Sequence, residues 1–434
     1  MKKLLIILSL SFFSCQSSQI NKTIKKKVVL ISIDGFRPDF YLDENFNTPH
    51  LKSLAQTGLY ASGMLSVFPS VTYPNHTTLV TGKYPADHGI LSNTRFNWNS
   101  GPTTEWYWDS KHIKVKTLWD ILKENNYKSA AIHWPVSQNS SVDYLIPEIF
   151  QLPPWHTEES FDLVIKHSTK GLPLLINKEL ALKPYTSMQE ADIWGTLAMK
   201  YIYQNYSPDL TAFHIIWADK NQHETGRDSK KTADAIAWID TKIKIIKDSL
   251  DEKTCLIIVG DHGFMNFSKT ININRLFLDK GWIKLDKENK VKSWKVIAHK
   301  SGGQAAIYLN DMKLKSAVLK LLKTNQKLGY ALISQKELSI RKSYPKAIAA
   351  ISAKNGYSIG SDYSKNLIMT SKEIQGQHGQ LPEHQNMHTG FIANNCGQKK
   401  GKLSYLIKNT QITPTILDYL GIPANKQLAS KIDL

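Results

Sequence analysis

From Val28 the chain runs Val-Val-Leu-Ile-Ser-Ile and stops at Asp34-Gly35. A β-branched apolar run without alternation fits a strand covered on both faces, as in a parallel sheet. The same signature returns at Thr211 to Trp217, ahead of Asp219, and at Leu256 to Val259, ahead of Gly260-Asp261-His262-Gly263. It appears once more at Phe391-Ile392-Ala393, after a histidine-rich loop. Helical periodicity separates these runs, as at Lys116 to Asn125 and Thr232 to Ser249. A last helix opens at Thr413-Pro414, with proline in its first turn, and stops at Gly421. Strand and helix in alternation predict an α/β fold: a three-layer α/β/α core with a mainly parallel central sheet. The stretch from about Asn266 to Lys372 separates two motif loops and is expected to form an inserted lobe or lid.

The first residues read differently. Lys2 and Lys3 precede an apolar run, Leu4 to Phe13, too short to span a bilayer permanently, and Ser14-Cys15 follows. This predicts a signal peptide over residues 1–14, a lipid-modified Cys15, a polar tether over 15–27 and a catalytic domain over 28–434. The chain is therefore expected outside the cytoplasm, in the periplasm or cell envelope, tethered to a membrane by lipid. Downstream only Cys255 and Cys396 remain, which leaves one disulfide open but implies no disulfide framework. They are too few for a cysteine-based metal site, so any metal must be held by histidine and carboxylate. The formal net charge is +18 over 434 residues, yet the lysines are scattered rather than gathered in a stripe. Specific nucleic-acid binding is not expected from that pattern, whereas a positive field speeds the encounter with a small phosphorylated substrate.

Asp34, Asp219 and Asp261 each follow a predicted strand, and ligands of such sheets bind at the strands' carboxyl ends. Asp219 and His223 stand one helical turn apart on one face. Asp261 and His262 lie between two glycines, and Gln377-His378-Gly379 repeats the glycine-flanked pattern. Two ligand clusters of this kind suit phosphoester cleavage, where paired divalent ions neutralise the phosphoryl group and activate a nucleophile. A nucleophile segment is present as well. Thr72 precedes a Tyr-Pro-Asn-His turn that leads into a helix, whose start offers free N–H groups to an anion. His50, His76 and Trp134 read as structural bystanders, and His384 and His388 compete with His378 as ligand.

Taken in order, Ile33-Asp34-Gly35-Phe36-Arg37, Thr72-Tyr73-Pro74-Asn75-His76, Leu79 to Pro85 and His88-Gly89-Ile90 resemble successive motifs of the nucleotide pyrophosphatase/phosphodiesterase family, within the alkaline phosphatase superfamily. The similarity continues through His133-Trp134-Pro135, Asp219 to His223, Gly260 to Phe264, Gly376 to Gly379 and Met387-His388. The resemblance implies two zinc ions, one held by Asp34, Thr72, Asp261 and His262, the other by Asp219, His223 and His378. It implies Thr72 as the nucleophile, forming a phospho-threonine intermediate that water hydrolyses. It also implies Asn93 as a donor to a non-bridging phosphate oxygen and Tyr73 as an aromatic contact for a nucleobase, with a second aromatic expected between Phe150 and Trp155.

The activity expected is hydrolysis of phosphodiester or pyrophosphate bonds. The first alternative is a phosphomonoesterase with the same metals and nucleophile. It would need extra cations on the terminal phosphate, for which Arg37, Arg95 or a lysine of the lobe are candidates. A lipoprotein that binds its ligand without turnover is the non-enzymatic alternative. A sulfatase would need a Cys or Ser in a Cys-x-Pro-x-Arg-like context, and none of the cysteines has one.

Overall fold

The structure is a computed structural model that describes residues 25–150, 158–363, 366–425 and 427–434. The expected signal peptide, Cys15 and most of the tether lie outside the described residues, as does Trp155.

Val28, Leu30 and their neighbours point alternately to two faces of a central sheet, and both faces are covered. Val29, Ile31 and Ile33 pack with helices Pro49–Thr57, Met188–Tyr206 and Lys230–Asp248. Val28 and Leu30 pack on the opposite side with helices Thr72–Thr81, Leu118–Glu124 and Ile412–Leu420. Each fully buried Val, Leu or Ile contributes about 1.5–3 kcal/mol, so the wholly apolar strand is stable only as the middle layer of three.

The sheet has eight strands, in the order Gly401–Lys402, Leu59–Tyr60, Phe391–Asn394, Thr254–Gly260, Lys27–Ile33, Leu210–Ile215, Ser129–Trp134 and Tyr144–Pro147. The five from Thr254–Gly260 to Tyr144–Pro147 are parallel. Phe391–Asn394 is a strand as expected but runs antiparallel to both neighbours. A four-residue apolar run carries no sign of its direction, because burial depends on side chains and not on chain polarity. This pairing brings Cys396 beside Cys255, and the two form a disulfide.

The described residues of 265–377 add three further sheets, one of them the two-stranded pair Ile283–Leu285 and Val291–Trp294. Met265–Ile271 lies between Gly356–Ile359 and Ile368–Gln377. Val296–Ser301, Gln304–Leu309, Ala349–Ala353 and Tyr330–Ser334 form a four-stranded antiparallel sheet. This region has its own apolar core, joined by Phe68 from the segment before Thr72. The strand Ile368–Gln377 returns the chain to the central sheet, and His378 follows it directly. Among the described residues no helix is long and apolar enough to cross a membrane.

Candidate active site

Three neighbouring strands of the sheet end at one rim. Lys27–Ile33 lies between Thr254–Gly260 and Leu210–Ile215 and is parallel to both, so Asp34, Asp261 and the helix bearing Asp219 emerge side by side. Gly35 adopts a left-handed backbone (φ 69°) and its N–H donates to Asp261 Oδ1 at 3.0 Å. Gly260 and Gly263 answer a different need. A Cβ at the first would collide with the Phe36 carbonyl, and one at the second with that of Asn386. These glycines allow close approach of backbones.

Two ligand groups result. Asp34, Asp261 and His262 each offer one atom, all within 4.8 Å of one another, and so do Asp219, His223 and His378. In the first group His262 Nε2 lies 3.1 Å from Asp34 Oδ1 and 3.2 Å from Asp261 Oδ2. In the second, Asp219 Oδ1 lies 3.4 Å from His223 Nε2 and 3.7 Å from His378 Nε2. The groups adjoin, since the His262 and His378 rings stack at 3.5 Å. Thr72, the first residue of helix Thr72–Thr81, sets its hydroxyl 3.4 Å from His262 Nε2.

The supports behind these side chains differ in kind. His378 Nδ1 bonds the Ser70 carbonyl at 3.1 Å and His223 Nδ1 that of Gly376 at 3.0 Å, leaving each Nε2 toward the site. Asp192 accepts from the N–H groups of Ile216 and Trp217 and so anchors the start of the helix that carries Asp219 and His223. Burial pushes the Asp192 carboxyl up to about 7.

Whether these residues suit metal ions can be judged from their unmet bonds. Asp34 Oδ1, Asp219 Oδ1 and Asp261 Oδ2 are all buried without a hydrogen-bond partner. Leaving such an oxygen bare is costly, and all three face the centre where a cation would sit. The electrostatics agree. Burial, then the Asp34 charge, push the Asp219 carboxyl well above the usual range and that of Asp261 to about 7. Burial acts against the Asp34 charge too, but the hydrogen bond from His214 and the neighbouring His262 imidazole outweigh it and hold this carboxyl well below the usual range. Burial draws His223 down to about 4 and His378 well below its ordinary value. Crowded carboxylates beside imidazoles, of which His223 and His378 resist protonation, form a donor set a divalent cation satisfies.

Asn93 completes the pocket floor. Its Oδ1 accepts from the Tyr73 N–H at 3.0 Å, which leaves the amide NH2 for another partner. That bond also narrows the anion site expected at the helix start, because Tyr73 N–H is taken and Pro74 has none. Tyr73 itself lines the cavity but is fully buried, its hydroxyl bound to Glu148 Oε1 at 2.9 Å and its ring edge-on to Trp106. It is a wall residue rather than an open stacking face. The cavity, of about 240 Å³, is lined by Asp34, Thr72, Asn93, Asp219, His223 and His378 together with the apolar Trp106, Phe150, Met188 and Ile216.

The expected bystanders are placed outside both groups. His76 lies buried in the helix Thr72–Thr81, with Nδ1 2.9 Å from the Thr72 carbonyl, and packs on Trp134. The His50 N–H bonds Asp240, His384 caps a short turn, and His388 packs near Gly63. Sequence reasoning passed over Glu148, His214 and Asp192. For His214 a signal existed, a lone histidine inside the buried strand Leu210–Ile215.

Known proteins resemble the chain in sequence and in fold. Residues 28–381 match the family model of type I phosphodiesterase/nucleotide pyrophosphatase. An uncharacterized pyrophosphatase/phosphodiesterase of Schizosaccharomyces pombe is 28% identical over 254 residues, covering 54% of this chain and 44% of that protein. The bis(5'-adenosyl)-triphosphatase ENPP4 of Pongo abelii is 25% identical over 290 residues, covering 63% of this chain and 55% of its own length. The chain thus spans about half the length of these curated relatives. Murine ectonucleotide pyrophosphatase/phosphodiesterase 5, solved as an inactive variant with AMP, superposes with a TM-score of 0.67 at 21% identity, covering 92% of this chain and 96% of that one. That likeness speaks for the fold. With the family model matched over most of its length, the chain belongs to the type I phosphodiesterase/nucleotide pyrophosphatase family.

Proposed function

We propose that the chain hydrolyses phosphodiester or pyrophosphate bonds with Thr72 as nucleophile and two zinc ions as cofactors. The observation that carries this reading is the set of three buried, partnerless carboxylate oxygens beside the Thr72 hydroxyl. Asp34, Asp261, His262 and Thr72 would hold one ion, and Asp219, His223 and His378 the other. Histidine with carboxylate favours zinc over magnesium. When bound, such ions neutralise the phosphoryl oxygens and lower the pKa of the attacking hydroxyl.

The residues of the chain supply the rest. Thr72 gives up its hydroxyl proton to solvent and its Oγ forms a bond to phosphorus while the bond to the leaving oxygen breaks, the leaving group departing with the electron pair. Water then attacks the phospho-threonine, the bond between phosphorus and Thr72 Oγ breaks, and a proton of that water restores the Thr72 hydroxyl. Asn93, its carbonyl oxygen fixed by Tyr73 N–H, directs its NH2 to a non-bridging oxygen. Trp106 and Phe150 offer aromatic surface to a flat group such as a nucleobase. The Cys255–Cys396 disulfide suits an oxidising compartment and supports export.

The lining of the cavity favours a diester. It holds the Glu148 carboxylate and no arginine or lysine among the described residues. Arg37 is buried elsewhere, between Asp39, Asp228 and Phe40, and Arg95 pairs with Glu105 on an exposed hairpin. One feature favours the monoesterase reading. Lys300, in the strand Val296–Ser301, is lowered in pKa by burial alone, and its charge is felt at His223. The test compares a nitrophenyl ester of a nucleoside 5′-monophosphate with nitrophenyl phosphate, in the presence of zinc. Faster diester cleavage that Thr72→Ala abolishes is expected. A preference for the monoester that Lys300→Met removes would overturn the diesterase reading.

A further inference from the structure

A continuous line of side-chain hydrogen bonds runs from the pocket wall to the buried ligand group. Tyr73 Oη donates to Glu148 Oε1 at 2.9 Å. His214 Nδ1 meets Glu148 Oε2 at 2.8 Å, and its Nε2 meets Asp34 Oδ2 at 3.2 Å. Glu148 comes from the turn after strand Tyr144–Pro147, at the sheet edge, and His214 from a central strand. All four residues are under 9% exposed, so water does not compete for these bonds. The His76 ring packs edge-on against His214 at 4.2 Å and limits its rotation.

Asp34 shows what the line achieves. Its two oxygens have separate fates: Oδ2 is held by His214, while Oδ1 is buried, partnerless and turned to His262. Asp261 is divided in the same way, with Oδ1 on the Gly35 N–H and Oδ2 bare. Among the described residues no other side chain bonds Asp34 Oδ2, so without His214 the carboxylate could turn about its last bond. Tyr73 shares a peptide bond with Thr72, so the same line ties the nucleophile's neighbour to the far side of that ligand group.

We propose that Glu148 and His214 are positioning residues that brace Asp34 from the substrate pocket, so that the pocket wall and the buried ion group are set as one unit. The inference rests on the two-ion reading of the site. A brace of this kind acts through the orientation of a ligand, and losing such an outer partner typically lowers metal affinity 10- to 100-fold.

The experiment titrates the metal-free, full-length protein with zinc by calorimetry and compares wild type with His214→Asn, Glu148→Ala and Glu148→Gln. Two ions are expected for the wild type. In His214→Asn and Glu148→Ala one of them should weaken about 10- to 100-fold while the other keeps its affinity. Glu148→Gln, which can still bond both neighbours, should recover most of the loss. Turnover of a nitrophenyl nucleotide ester, with zinc saturating, should show kcat reduced more than KM is raised in His214→Asn. Melting of the metal-free variants serves as the control for folding, and Glu148→Gln keeps the question open to test if His214→Asn fails to fold. Two ions at wild-type affinity in Glu148→Ala, or equal weakening of both, would overturn the brace. A wild type that binds no zinc would overturn the two-ion reading itself, and the brace with it.

Discussion

The two ligand groups use similar side chains but differ in burial and in what holds their carboxylates. Asp34, Asp261 and His262 have side chains 7%, 0% and 0% exposed; His214 holds Asp34, the Gly35 N–H holds Asp261, and the Gly263 carbonyl holds His262 Nδ1. Asp219, His223 and His378 are 21%, 35% and 7% exposed, and backbone carbonyls hold both histidines. The buried group adjoins the Thr72 hydroxyl, whereas all three residues of the open group line the cavity. Burial makes an ion slow to leave and a nucleophile easy to fix. Exposure lets ligands and water exchange. A displacement reaction at phosphorus needs both, one side to hold the attacking oxygen and the other to release the leaving one.

The largest effect should come from the buried side. Thr72→Ala removes the hydroxyl but no histidine or carboxylate ligand. Turnover is expected to fall by about 10³-fold or more, while zinc titration still finds both ligand groups. Loss of one ion together with activity would show that Thr72 is chiefly a ligand. Asn93→Ala touches neither group but removes the donor to the phosphoryl oxygen together with the acceptor of the Tyr73 N–H, so kcat should fall by roughly 10²-fold. An unchanged kcat would take Asn93 out of the reaction.

Chelation sharpens the contrast next. Stopped-flow release of zinc into a colorimetric chelator should be biphasic, with the open group emptying first, about 10-fold or more ahead of the buried one. His223→Ala should abolish the fast phase and leave the slow one. A single phase for the wild type would mean that burial does not separate the two groups.

What the chain disclosed beforehand follows the same division. Ligands that stand in glycine-flanked loops after strands, such as Asp261-His262 and His378, are conspicuous because sharp turns demand special residues. Asp219 and His223 are readable from helical spacing. The α/β layering is readable too, since runs like Val28 to Ile33 suit no exposed position. The supporting residues leave weaker marks. Glu148 and His214 are 66 residues apart and meet only through the order of strands in the sheet. Asp192 sits in helix Met188–Tyr206, where one buried carboxylate does not disturb the apolar pattern. The antiparallel course of Phe391–Asn394 is fixed by long-range pairing, which local sequence does not encode.

The smallest effect concerns the metal-free protein, where one histidine from each group, His262 and His223, should respond to acid with opposite signs. Burial lowers His262, but the charges of Asp261 and Asp34 overcome it and raise this histidine to about 9. Its proton therefore stabilises the fold fully below the ordinary histidine value near 6.5, and that stability is lost as pH rises through about 9. His223 is drawn down to about 4, chiefly by burial. Between about 6.5 and 4 the unfolded chain takes up a proton that the folded chain refuses, so stability falls as pH falls. Each group contributes a slope of at most about 1.4 kcal/mol per pH unit. Denaturant unfolding of the metal-free protein across pH should show His262→Gln flattening the alkaline limb and His223→Gln flattening the acid limb. Should both substitutions flatten the same limb, the electrostatic contrast between the buried and open groups would be wrong. Zinc should erase both slopes in that range, because a bound cation takes the place of the proton at His262 and keeps His223 deprotonated.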